Sequence, residues 1–167
     1  MNDCIFCKII NGEIPSYKIY ENEHTLAFLD ISQDCFGHTL VIPKKHYENI
    51  FDTNETILSE VIKTVKLISN HFKNLGFDGV NILNNNDKSA EQSIMHLHFH
   101  IIPRKDNDKL KVFPTLGGDK TNLSEVQKNL SIKYWLLNNI MINWWCYLAK
   151  SGVKNGCQQY ELVKTNL

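Results

Sequence analysis

The stretch "HLHFHIIP", residues 96–103, spends three of the chain's seven histidines on alternate positions. In an extended strand such residues share one face, about 6.6 Å apart. His96, His98 and His100 then form a row, with Leu97, Phe99 and Ile101 on the opposite, core-facing side. Two chemistries fit a row of imidazoles. It can hold a metal, as three-histidine sites do, or one ring can act as a nucleophile while its neighbours place a phosphate. Gln92 and Ser93 just before the row, and Asn85 beyond a polar loop, are neutral donors. They suit phosphate oxygens and a leaving group better than a cation, which favours the second chemistry. A second cluster, Cys4 and Cys7 in "CIFC", has the two-residue spacing of a zinc half-site. On spacing alone a redox pair or two unremarkable thiols also fit. Cys35, Cys146 and Cys157 read as packing or exposed thiols.

Strands must carry these groups. "SYKIYEN" (16–22) and "HTLAFLD" (24–30) read as a hairpin broken at Glu21-Asn22-Glu23, and "HTLVIPK" (38–44) as a third strand stopped by Pro43. A helix follows, with Asp52 and Glu55 placed as a capping box and Gly76 as its C-terminal stop. Ile57, Val61, Val65, Ile68, Phe72 and Leu75 recur at steps of three and four along its apolar stripe. "GVNILNN" (79–85) and "SIMHLHFHIIP" (93–103) are the fourth and fifth strands. Asn122 and Glu125 could cap a second helix through "LSEVQKNLSIKYWLL". All three tryptophans fall within residues 134–167; the apolar stretch 134–149, interrupted by Asn138, Asn139 and Asn143, reads as a packing helix, a partner or membrane-surface segment, or a poorly ordered tail. The meander order predicts an α+β fold: a five-stranded antiparallel sheet, one long helix and a C-terminal helix or extension.

The chain's 167 residues suffice for one domain. Eighteen basic residues balance eighteen acidic ones, which argues against a basic nucleic-acid-binding surface. No apolar run is long enough for a membrane span. The N-terminus lacks a signal-peptide core, so the expected setting is the cytoplasm, with reduced thiols.

"HLHFHII" resembles the signature of the histidine triad (HIT) family of nucleotide hydrolases and transferases. "FLDIS" (28–32), "GHTLVIPKKH" (37–46) and "LNNN…QS" (83–93) follow that family's order, so the resemblance spans about residues 4 to 104. It is strongest to the small bacterial members near the Hint branch rather than the Fhit-type dinucleoside polyphosphate hydrolases. The resemblance implies a HIT domain over 1–133 with an extension of unknown role over 134–167. It implies that His98 attacks the α-phosphorus of a purine nucleotide and forms a nucleotidyl-imidazole, its second ring nitrogen held by a backbone carbonyl. His100 would contact phosphate oxygens, with His38 supporting the triad. Asn85, Gln92 and Ser93 would position phosphate and leaving group, and Asp30 would bind the ribose hydroxyls. Phe6, Phe28 and Ile31 would wall the base. It further implies a structural zinc on Cys4, Cys7, His46 and His96, no cofactor in the chemistry itself, and a homodimer. The implied activity is a purine nucleoside phosphoramidase or related hydrolase. Dinucleoside polyphosphate hydrolysis, or a nucleotide-binding regulatory protein with weak catalysis, are the alternatives. One residue departs from the pattern: Glu91 stands where the family usually has glycine before Gln-Ser.

Overall fold

The computed structural model describes residues 3–32, 35–112 and 122–132. The chain divides into two compact units, Met1–Pro114 and Thr115–Leu167. In the first, the order is α1 (Ile5–Ile10), β1 (Lys18–Glu21), β2 (Thr25–Leu29), β3 (Thr39–Pro43), α2 (Glu55–Asn74), β4 (Gly79–Leu83), a single 3₁₀ turn (Lys88–Ala90) and β5 (Phe99–Arg104). The strands form one antiparallel sheet, as expected, in the order β1-β2-β3-β5-β4; the meander holds through β3, and β5 rather than β4 pairs beside it. In the second unit, α3 (Leu123–Leu130) starts from Asn122, whose side chain accepts from the Ser124 N–H. It stops at Ser131, short of the expected end; the rest of that expectation and the tryptophan-bearing extension lie outside the described residues.

Both faces of the sheet are apolar, so both must be covered. Ala27, Val41, Leu97, Phe99 and Ile101 pack with Val61, Val65, Ile68 and Phe72 of α2. Leu26, Phe28, Leu40 and Ile42 point the other way, against Phe6 and Ile9 of α1. At six residues α1 is too short to hold itself, so its docking depends on those two buried side chains.

The hairpin break is held by Asn22, whose side-chain oxygen accepts from the His24 N–H at 2.9 Å and the Thr25 N–H at 2.7 Å. The long helix ends as its glycine predicts. Gly76 has φ +88°, its N–H reaches Lys73 O and that of Phe77 reaches Phe72 O, the two bonds of a Schellman motif. Its start requires a correction. Asn54, not Asp52, caps α2, accepting from Thr56 N–H at 2.8 Å. Asp52 lies too far before the first turn. Its carboxylate instead accepts from the Glu48 and Asn49 N–H groups, each at 3.0 Å, closing the turn that precedes the helix.

The fifth strand is also shorter than the sequence suggests. Its ladder with β3 ends at Val41 opposite Phe99, so His96 and His98 lie before the first rung. Pro43 has no N–H to extend the pairing. The Leu97 N–H turns instead to Tyr47 O at 2.7 Å. Alternation nevertheless persists, because Leu97 remains fully buried in the helix-side core.

Candidate active site and metal centre

The histidine row is built on the α1 face. Phe6 meets it edge-on, its ring centroid 5.8 Å from His96 and 5.5 Å from His98, with Phe28 a further 5.6 Å contact. His98 and His100 stack edge to face at 4.9 Å. His98 Nδ1 lies 2.7 Å from the carbonyl oxygen of His96. A carbonyl only accepts, so Nδ1 carries the proton and Nε2 keeps its lone pair. The sequence resemblance implied this arrangement. Burial lowers the His98 pKa, and burial with the charges of His98 and His38 lowers that of His100 to about 4. Both rings are therefore neutral at pH 7.

His38 supports the row from the start of β3, its Nε2 2.9 Å from His100 Nδ1. Its Nδ1 is buried and makes no hydrogen bond; Asp30 Oδ2 stands 3.7 Å away, within ion-pair range only. Burial pushes the Asp30 carboxyl up, but the Ser32 hydrogen bonds and the His38 and His100 charges outweigh it and hold it below the usual range. These three residues also gather ligand-type atoms, and the contact between His38 and His100 engages one ring nitrogen of each. Gly37 sets the approach to His38: its φ is +77°, and a Cβ there would stand 3.0 Å from Pro103 Cγ.

The remaining expected residues are distributed less tightly. Ile31 is 79% exposed, at the rim beside Asp30 rather than packed with Phe6 and Phe28. Asn85 is half-buried in the loop after β4. Gln92 is buried and its amide is consumed: Oε1 accepts from Asp87 N–H, and Nε2 donates to Glu48 O and Ile94 O. It shapes the loop. Ser93 lines a cavity of about 440 Å³ with Asp3, Cys4, His46, Glu48 and Met95, on the cysteine side of the site. Glu91 occupies the left-handed region at φ +64°, ψ +28°, a conformation that suits glycine, and its side chain is exposed. Two residues not singled out from the sequence also reach the row. Asn84 Nδ2 donates to His98 O at 2.9 Å, and Asn86 Nδ2 donates to Asn84 Oδ1. The run of three asparagines was the available signal.

Cys4, Cys7, His46 and His96 converge, with one ligand atom from each lying within 4.8 Å of all the others. A tetrahedral zinc, with Zn–S about 2.3 Å and Zn–N about 2.0–2.1 Å, requires sulfur–nitrogen separations of about 3.6 Å. The separations here are 3.4 Å (Cys4–His96), 3.3 Å (Cys7–His46) and 3.7 Å (Cys7–His96). His96 Nε2 donates to Pro43 O at 2.9 Å, which turns the lone pair on Nδ1 toward the cysteines, the outer-shell arrangement of a metal-bound histidine. The donor set fits zinc. Burial and the adjacent Cys4 push the Cys7 thiol up to about 11.

Comparison with known proteins agrees with this geometry. The HIT domain model matches residues 11–107. An uncharacterized HIT-like protein of Methanocaldococcus jannaschii is 57% identical over 105 residues, 63% of this chain and 81% of that protein. The adenosine 5′-monophosphoramidase HNT1 of Saccharomyces cerevisiae is 38% identical over 132 residues, covering 78% of this chain and 82% of that one. The crystal structure of a zinc-bound histidine triad family protein from Mycobacterium smegmatis superposes with a TM-score of 0.64 at 37% identity, over 68% of this chain and 84% of that one. Sequence motif, fold and site geometry converge: this chain belongs to the histidine triad (HIT) family.

Proposed function

We propose that the chain is a nucleotide hydrolase that cleaves a purine nucleoside 5′-phosphoramidate, or a related nucleotide conjugate, at its α-phosphorus. The observation that carries this reading is the fixed tautomer of His98, with Nδ1–H committed to the His96 carbonyl and a neutral Nε2 lone pair left to attack. The activity named for the Saccharomyces relative supports the phosphoramidate as substrate class.

In the first step His98 Nε2 bonds to phosphorus as the phosphorus–nitrogen bond breaks; the leaving nitrogen, protonated in the reacting phosphoramidate, takes the electron pair of that bond and departs as the neutral amine. The His96 carbonyl steadies the positive charge that develops on the ring. In the second step water attacks the nucleotidyl-imidazole, releasing the nucleoside monophosphate and restoring His98. Asp30, ionised at neutral pH, accepts from the ribose hydroxyls, and Phe6 and Phe28 form the apolar wall. His100 contacts the phosphate, while Asn85 and Ser93 serve the leaving group. A bound zinc would cross-link α1 to the sheet through Cys4, Cys7, His46 and His96 and take no part in the displacement. Among the described residues the outer edge of β4 is unpaired, with Ile82 half-exposed on it, and a homodimer would use it as the template for a second copy.

Adenosine 5′-phosphoramidate and diadenosine tetraphosphate, assayed side by side with wild type and His98→Ala, test the reading. Turnover of the phosphoramidate by wild type alone is expected. Preferential turnover of the tetraphosphate would reassign the substrate. Tight AMP binding with no turnover of either would make the protein a nucleotide-binding regulator.

A further inference from the structure

His98 sits outside both ladders of β5: pairing with β3 ends at Phe99 and pairing with β4 ends at His100. Its ring is tied to its own chain through the His96 carbonyl, so the Nε2 lone pair follows the backbone of residues 96–98. That segment is fastened on one side to residues 43–47, through the backbone Leu97 N–H to Tyr47 O and the His96 ring Nε2 to Pro43 O. On the other side the fastening is a relay of side chains. Ile50 N–H donates to Asn86 Oδ1 at 2.9 Å, Asn86 Nδ2 to Asn84 Oδ1 at 2.5 Å, and Asn84 Nδ2 to His98 O at 2.9 Å. The relay has one possible polarity. A backbone N–H at one end and a carbonyl at the other fix the orientation of both amides, and such aligned bonds reinforce one another. Its far end lies in the turn that follows His46, and Gln92 ties that same turn to the loop before the row through Glu48 O.

We propose that Asn84, supported by Asn86, is a positioning residue for the nucleophile: it substitutes for the missing rung and holds the His98 backbone so that Nε2 is aimed at phosphorus. This rests on the reading of His98 as the nucleophile. Asn84 acts through the His98 backbone and Asn86, to which its amide is bonded, so its loss lowers the rate of attack and spares nucleotide affinity.

The test uses the full chain and near-isosteric variants. Asn84→Asp keeps the acceptor for Asn86 and removes the donor to His98, Asn84→Ala removes both, and Asn86→Asp keeps only the acceptor for Ile50. The kcat and KM for adenosine 5′-phosphoramidate, AMP affinity by calorimetry, Tm and the ring ¹⁵N shifts of His98 are measured for each. Both Asn84 variants should lose about tenfold to a hundredfold in kcat while AMP affinity stays within about twofold, the signature of misplacement rather than lost binding. The smaller loss is expected for Asn86→Asp. Wild-type kcat in the Asn84 variants, beside an inert His98→Ala, would overturn the positioning role alone. A parallel fall of kcat, AMP affinity and Tm would also overturn it, by showing a general structural role. Turnover surviving in His98→Ala would instead overturn the nucleophile assignment on which it rests.

Discussion

Phe6 connects the two halves of the site, and removing its ring tests whether α1 is docked as described. The side chain is 4% exposed and meets Phe28, His96 and His98 edge-on at centroid separations between 5.5 and 5.8 Å. Truncating a buried phenylalanine to alanine costs about 3–5 kcal/mol, from lost transfer energy and the cavity left behind. That is a large share of a typical domain stability of about 5–15 kcal/mol. A Tm fall on the order of 10–20 °C should accompany it. Phe6→Leu keeps apolar bulk and loses the ring edges, so about 1–2 kcal/mol is expected, with turnover falling because the His98 ring loses its flank. Urea unfolding followed by circular dichroism, with phosphoramidase turnover on the same samples, measures both. A cost below about 1 kcal/mol for Phe6→Ala would show that α1 is not held on the sheet by this contact.

Other perturbations separate the remaining parts. Cys4→Ser, or a chelator strong enough to strip zinc, should lower Tm markedly, whereas His98→Ala should abolish turnover with a smaller fall in Tm and a folded protein; equal destabilisation would erase the division of labour within the row. Asn54→Ala should cost about 1 kcal/mol by urea titration through loss of the α2 cap; no change would return the cap to Asp52. His100 takes its proton near pH 4 when folded and near 6.5 when unfolded, so the unfolded chain protonates first and stability is lost as pH falls from 6.5 toward 4. His100→Gln should flatten that part of the stability–pH curve, and an unchanged slope between pH 7 and 4.5 would contradict the burial of this ring.

Much of this was legible because two periodicities carry it. Alternation placed Leu97, Phe99 and Ile101 against the helix, and three-and-four spacing placed Val61, Val65, Ile68 and Phe72 opposite them. The zinc-type ligand set gathers as the family resemblance implied. What the sequence did not reveal depends on where hydrogen bonds go. Nothing local distinguishes Asp52 from Asn54 as a cap, since both precede acidic or polar first turns. Pro43 marked the end of β3, but its consequence for the opposite strand, releasing His96 and His98 from the ladder, appears only in three dimensions. Asn84 read as part of the fourth strand, which in fact ends at Leu83, and Asn86 as loop composition, because their partners, His98 O and Ile50 N–H, are distant in sequence. Gln92 was expected at the phosphate, yet its amide is occupied inside the loop.

The nucleophilic role of His98 is tested most directly by trapping the intermediate. A phosphorus–nitrogen bond to imidazole is labile in acid and survives in base. Wild-type protein mixed with adenosine 5′-phosphoramidate, quenched in alkali within the first turnover and digested, should therefore carry the mass of AMP less one water on the peptide containing His98. The adduct should form and decay at rates that account for AMP release, and should be absent from His98→Ala. Turnover at full rate with no adduct on His98, or an adduct mapped to His100 or His96, would contradict the account.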